Sequence, residues 1–218
     1  YKRQITASHN PENWNALKLL NSRGELISVK DNDEISKIKK NNLFKYSPHD
    51  KLGSIFKVND SINNHITDIL NLPIINVSAI KHCNFSGVVD GINSSGGIAV
   101  PMLLEKLQVD VKKINCTPNG IFTHNPEPLK EILTELCDVV KKNKSNFGIA
   151  VDPDVDRLVF VDERGEMFGE EYTLVACSDY VLSKSPGSIV SNLSSSRALP
   201  DLAKQYGCLL YTSPSPRD

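Results

Sequence analysis

An excess of either charge is missing from this chain: Lys+Arg 25 stand against Asp+Glu 26 in 218 residues, a formal net charge of −1. Nucleic acid and anionic membranes are therefore not expected as partners, since both call for a basic excess or patch. Long hydrophobic runs are missing too. The longest fall far short of the ~20 residues that a membrane helix needs. Tyr1–Gln4 is polar with no apolar stretch behind it, so no signal peptide is expected either. Cysteine is sparse and scattered. Cys83, Cys116, Cys137, Cys177 and Cys208 are odd in number and include no CxxC pair, which argues against a disulfide framework or a zinc site. Reduced, mostly buried thiols in a cytoplasmic protein are the expectation.

What is present is ordinary for a globular protein: 39% hydrophobic and 23% charged residues, enough for one large or two smaller domains with a core. Ile5–Pro11 reads as a strand end entering a polar loop, and Leu17–Leu20 with Glu25–Ile27 as a hairpin around Asn21–Gly24. Asp31–Asp60 is Lys/Asn/Asp-rich surface helix and loop. Ile62, Ile66, Ile69 and Leu70 recur at helical spacing within Ser61–Leu72. From Phe85 the pattern alternates: strand Phe85–Val89, helix Gly97–Leu107, strand Val109–Ile114, helix Glu127–Lys142, strands Phe147–Val151 and Leu158–Val161, helix Tyr172–Leu182, strand Ser188–Asn192. Such alternation predicts an α/β fold, layered αβα, on mixed and largely parallel sheets. Leu210–Asp218 is a Ser/Pro tail without apolar period; it and Tyr1–Gln4 are set apart as non-native ends.

Asp152-Pro153-Asp154-Val155-Asp156-Arg157 follows strand Phe147–Val151 directly. A straight strand would hold alternate carboxylates ~6.5–7 Å apart, too far to share one ion at ~2.0–2.1 Å, so the segment must curl, and Pro153 allows a kink. Three oxygen donors without Cys or His suit Mg²⁺. An EF-hand also begins DxDxD, with Glu163 at loop position 12. It wants Gly where Arg157 stands, and helices where strands are predicted. A solvated acidic turn is the bland alternative. Carboxylates packed beside apolar strands without a counter-ion are costly, which favours the metal.

Thr6-Ala7-Ser8-His9-Asn10-Pro11 could hold a reactive hydroxyl, and on its own would equally serve as a helix cap or turn. Thr123-His124-Asn125-Pro126 nearly duplicates it. Ser94-Ser95-Gly96-Gly97 is read as close strand–helix packing, since no Lys-Ser/Thr follows to make a P-loop. Ser191–Ser196 reads as a polar turn.

Thr6–Pro11 and Asp152–Arg157, in that order and separated by a βαβ-rich stretch, together resemble the α-D-phosphohexomutase superfamily. Further matches are Asn15–Lys18, Gly96-Gly97, Pro118–Gly120 with His124–Pro128, and Gly169–Glu171; Ala16 departs from the glycine usual there. The resemblance covers nearly all of Ile5–Gly207. It implies Ser8 as a phosphoserine, with Asp152, Asp154, Asp156 and the Ser8 phosphate holding Mg²⁺. It further implies Lys18 in acid–base or phosphate-contact work, Arg157 on phosphate, and His9 supporting the phosphoserine. Thr123 carries no chemistry. The chain then resembles part of a four-domain enzyme: residues 1–58 the end of domain 1, 59–166 domain 2, 167–209 the start of domain 3 and 210–218 the tail. The implied reaction interconverts hexose 1-phosphate and 6-phosphate through a bound 1,6-bisphosphate. Trp14–Asn21 and Ser191–Leu199 are most similar to bacterial chains assigned as phosphoglucosamine mutases, so glucosamine phosphate comes first, then mannose or glucose phosphate. A non-catalytic metal- or phosphate-binding fragment is the alternative. The piece alone is expected to be inactive, with apolar surface bare on Leu174–Leu182.

Overall fold

The computed structural model describes residues 2–212, and three sheets organise them. Strands β1 (Lys2–Thr6) and β2 (Ala16–Leu20) pair antiparallel, with Gln4 opposite Lys18 and Thr6 opposite Ala16. The hairpin predicted from Leu17–Leu20 is present but short: Leu20 bridges Leu26, and the Asn21–Glu25 turn closes it. Most of β2 pairs with β1 instead, and the loop between these strands carries Ser8. Helix α1 (Val29–Lys40) starts at a Ser28–Asp31 capping box and buries no residue. An exposed stretch with one 3₁₀ turn, His49–Lys51, leads to α2 (Ser61–Leu70) and the short α3 (Val77–His82), the last not evident in the sequence pattern.

The central sheet has the order β4–β3–β5–β6–β7, from β3 (Ser86–Asp90), β4 (Asp110–Ile114), β5 (Phe147–Val151), β6 (Leu158–Asp162) and β7 (Met167–Phe168). It is mixed. β4, β3 and β5 run parallel, then β6 and β7 return antiparallel, because the acidic loop turns straight back where a parallel neighbour would need a crossover. Alternate residues of each strand serve opposite faces. Val88, Ala150, Val159 and Val161 pack on Leu133, Leu136 and Val140 of one layer. Val89, Ile149 and Val151 pack on Leu104 of helix α4 (Gly96–Lys106) on the other. Two helical layers around one sheet give the expected αβα architecture.

The helix predicted over Glu127–Lys142 begins late, as α5 (Thr134–Asn143). Pro128 has no N–H to donate, and residues 129–133 make tight turns closed by Ile132 N–H and Leu133 N–H on the Leu129 carbonyl. The apolar row survives the change, since Leu133, Leu136 and Val140 are all fully buried. Glycine does its work where α4 meets the sheet. A Cβ on Gly97 would lie 2.7 Å from Cys116 Cα, and one on Gly91 would lie 2.4 Å from Gly97 Cα. We expect Gly97→Ala to cost about 2 kcal/mol despite alanine's better helix propensity, read as a lower urea midpoint at unchanged m-value.

A third unit follows: α6 (Glu170–Lys184), β8 (Ile189–Ser191), α7 (Ala198–Gln205) and β9 (Leu210–Thr212). Leu210–Thr212, set apart from the fold in the sequence reading, form β9: they pair parallel with β8, and Leu210 packs on the Leu182–Leu199–Leu202 cluster. Residues 213–218 lie outside the described residues. Leu182 is buried, whereas Leu174, Tyr180 and Val181 on the same helix are exposed. The cysteines are all free, but the expectation of mostly buried thiols fails: Cys83 and Cys177 are exposed and the other three half-buried. No helix among the described residues is long and apolar enough to cross a membrane.

Candidate active site

Val151 of β5 faces Leu158 of β6 across the antiparallel ladder, so Asp152–Arg157 make the whole return. The curl comes from Val155 at φ 63°, a left-handed conformation that β-branched residues seldom adopt, rather than from a kink at Pro153. Pro153 serves as an anchor. Its carbonyl accepts from Ser94 Oγ at 2.9 Å and Ser95 Oγ at 2.7 Å, tying the loop to the start of α4. Asp152 Oδ1 accepts from the backbone N–H groups of Asp156 (3.0 Å) and Arg157 (3.1 Å), which holds the loop closed. The flanking strands and the turn at Arg157 leave no room for an EF-hand.

In this loop Asp152, Asp154 and Asp156 each offer one carboxylate oxygen, all within 4.8 Å of one another. Asp152 Oδ2 and Asp154 Oδ1 are buried without a hydrogen-bond partner among the described residues. Buried, unsatisfied carboxylate oxygens are costly. A hard divalent cation bound by oxygen donors satisfies both, so the donor set fits Mg²⁺. The electrostatics agree. Burial pushes Asp152 up to about 6, against the opposing pull of its hydrogen bond from the Arg157 backbone. Burial acts the same way on Asp154, but the Thr6 hydroxyl and the Lys18 ammonium outweigh it and hold that carboxyl below the usual range. Lys18 Nζ lies 3.0 Å from Asp154 and 3.7 Å from Asp156. The hydrogen bond to Asp154 raises Lys18 above its ordinary value, so in this arrangement it is a counter-charge and a poor base.

The serine loop reaches the same place from the other sheet. Ser8 sits at φ 49°, and its N–H donates to Thr6 Oγ1 at 2.8 Å. Thr6 Oγ1 in turn donates to Asp154 Oδ2 at 2.7 Å, across 148 positions of sequence. One hydroxyl thus joins the two loops. Ser8 Oγ is 3.2 Å from His9 Nδ1, and His9 Nε2 is 3.4 Å from Arg157 Nη2. Arg157 Nη1 donates to Glu127 Oε1 at 2.7 Å. A guanidinium can only donate, so His9 Nε2 accepts and Nδ1 carries the proton that faces Ser8 Oγ. A cleft of about 500 Å³, lined by Thr6, Trp14, Asn15, Ser95 and Phe122 among others, opens beside Asp154. A larger apolar cavity of about 630 Å³ lies elsewhere, between β6, α6 and Ile74–Ile75.

The structure therefore brings Ser8, His9, Lys18, Arg157 and the three aspartates together, and leaves Thr123 exposed. Gly96-Gly97 do pack closely, as expected, while Ser94 and Ser95 gain a task that sequence did not assign. Thr6 and Glu127 were also missed as members of the site. Thr6 is the first residue of the serine motif, two positions before Ser8, and that position was its one signal. Glu127 had none.

Two stretches match models of one family: residues 4–46 match phosphoglucomutase/phosphomannomutase alpha/beta/alpha domain I, and residues 63–165 match alpha/beta/alpha domain II. A phosphoglucomutase/phosphomannomutase of Thermococcus kodakarensis is 34% identical over 205 residues, covering 93% of this chain and 44% of that protein. A phosphoglucosamine mutase of Methanococcus maripaludis is 31% identical over 210 residues, covering 93% and 45%. Among solved structures, a phosphoglucomutase/phosphomannomutase family protein of Burkholderia thailandensis superposes with a TM-score of 0.78 at 23% identity, covering 97% of this chain and 44% of that one. The chain thus spans less than half the length of these relatives.

Proposed function

Starting from a chain that belongs to the phosphoglucomutase/phosphomannomutase family, we propose that it carries the phosphate-transfer centre of a phosphohexomutase, an isomerase interconverting hexose 1-phosphate and 6-phosphate. Residues 1–58 would belong to domain 1, 59–166 to domain 2 and 167–209 to domain 3 of the longer protein. The observation that carries this reading is the Thr6 hydroxyl, which fastens the serine loop to the acidic loop. A reactive serine beside three carboxylates has little use unless a cation and a phosphate come between them.

In this reading Ser8 Oγ bears the phosphate, and Asp152, Asp154 and Asp156 would hold Mg²⁺ beside it. When bound, the ion would neutralise phosphate charge and align the transfer. The bond from phosphorus to Ser8 Oγ breaks as one forms to a sugar hydroxyl oxygen, whose proton leaves to solvent or a base. Charge then builds on Ser8 Oγ, where the Nδ1–H of His9 faces it and stabilises it by a hydrogen bond, the proton that makes it a hydroxyl coming from solvent. Arg157 and Lys18 supply positive charge to the peripheral phosphate oxygens, where a loose transition state leaves it. The bisphosphate so formed reorients and returns its other phosphate to Ser8. Among hexose phosphates, glucosamine phosphate is our first choice, mannose and glucose phosphates following. The five free thiols suit the cytoplasm.

Isothermal titration with Mg²⁺ tests the centre. We expect saturable heat with the parent chain and a loss of at least ~10-fold in affinity with Asp154→Asn, which removes one charge from the donor set. Equal isotherms from both proteins would contradict the metal site.

A further inference from the structure

Behind the site lies a second buried acid that the mechanism above does not use. Asp90, at the C-terminal end of β3, is 2% exposed. Its Oδ1 accepts the Ile92 N–H at 3.0 Å, and its Oδ2 accepts from Asn115 Nδ2 at 3.2 Å. His124 Nε2 lies 3.0 Å from the same Oδ2, and His124 Nδ1 lies 2.8 Å from the Asn125 carbonyl. Both ring nitrogens therefore face acceptors with no proton of their own. A neutral imidazole has one N–H and can satisfy only one of them; the doubly protonated ring satisfies both. The next link runs through the same short segment. Asn125 Oδ1 accepts the N–H of Glu127 at 3.0 Å, and Glu127 Oε1 holds Arg157 Nη1 at 2.7 Å.

We propose that His124, held as an imidazolium between Asp90 and the Asn125 carbonyl, is a positioning residue that seats Glu127 and through it aims Arg157 at the phosphate. The inference rests on the reading of Arg157 as a phosphate ligand. Asp90 supplies a rigid anchor on the central sheet, and His124 is three residues from Glu127. The segment between is otherwise irregular, without helix or strand from residue 115 to 133, so the direction of the Glu127 side chain depends on such pins. The charged groups facing His124 agree: Asp90 on β3 by its hydrogen bond and, at longer range, Glu135 on α5, both anionic, hold the ring above its ordinary value against the effect of burial. Losing the second proton would leave either the Asn125 carbonyl without the imidazole N–H or Asp90 Oδ2 with the Asn115 amide alone, and Glu127 free to drift from Arg157.

A double-mutant cycle on the full-length protein decides this, with calorimetric affinity for glucose 1,6-bisphosphate measured in a Ser8→Ala background so that no turnover intervenes. Glu127→Gln and Arg157→Ala should each weaken binding roughly tenfold, the value of one charge-assisted contact. His124→Gln should weaken it comparably, and the His124→Gln/Glu127→Gln pair no further than either alone. Parent protein should also lose affinity as pH rises through the His124 titration, followed by imidazole ¹⁵N shifts, while Glu127→Gln should not. That pH arm needs no His124 variant and stands if His124→Gln fails to fold. Loss with Glu127→Gln but none with His124→Gln, or a pH-independent parent, overturns this inference alone. No loss with Arg157→Ala overturns the phosphate reading, and this inference with it.

Discussion

Replacing Ser8 with alanine in the full-length protein is expected to lower turnover by at least ~10³-fold, more than 4 kcal/mol of barrier, because it removes the atom proposed to carry the phosphate. The fold should be unaffected. Ser8 is half-buried and its backbone, not its hydroxyl, makes the bond to Thr6. Thr123→Ala, in the near-duplicate motif, should leave turnover within about twofold, since that side chain is exposed and such surface changes rarely exceed ~0.5 kcal/mol. Steady-state rates for both variants check the pair. A Ser8→Ala enzyme that retains parent activity would show that phosphate never resides there.

Asp152→Asn should act in opposite directions on stability and on metal response. Asp152 is fully buried, and its carboxyl is raised from the usual 3.8 to about 6. The folded state thus holds the proton more tightly than the unfolded chain. This contribution to stability is present below ~3.8 and lost as pH rises through about 6. At pH 7.5 the metal-free protein keeps an unfavourable buried charge, and the gap between the two values corresponds to ~3 kcal/mol at most. Asparagine keeps the oxygen that accepts the Asp156 and Arg157 N–H groups and removes the charge. Without metal, Asp152→Asn should therefore be more stable than the parent by ~2 kcal/mol at pH 7.5, the difference shrinking as pH falls from 6 to 4. With Mg²⁺ the order should reverse, because only the parent gains from binding. Denaturant titrations at several pH values, with and without Mg²⁺, read all of this. A variant that is less stable than the parent at pH 7.5 without metal would contradict the account of the buried charge.

The strands and helices around the central sheet were legible because their apolar residues recur with periods that only one element type satisfies. Val88 and Val89 fall on opposite faces for that reason, and Leu133, Leu136 and Val140 on one. The acidic loop was legible because three carboxylates at alternate positions after an apolar strand have few structural uses. Elsewhere the deciding contacts are long-range. Nothing local says that β1 takes the length of β2, or that Leu210–Thr212 finds β8. Thr6 meets Asp154 across 148 positions and Arg157 meets Glu127 across 30, so neither partner is written in its own neighbourhood. The helix start expected at Glu127 misled: turns run on from there to Leu133 before α5 forms. Val155 was overlooked for a different reason, since a β-branched residue is the last one expected to supply a left-handed turn.

The central claim is that the Thr6–Pro11 loop and the Asp152–Arg157 loop form one phosphate-transfer centre. The most direct measurement is peptide mass mapping of the full-length protein after incubation with glucose 1,6-bisphosphate, with and without Mg²⁺. The account predicts one phosphate on the Thr6–Pro11 peptide at Ser8, acquired with Mg²⁺ and not acquired by Asp154→Asn. Phosphate on the Thr123–Pro126 peptide, or equal incorporation at Ser8 by the Asp154→Asn protein, would contradict it.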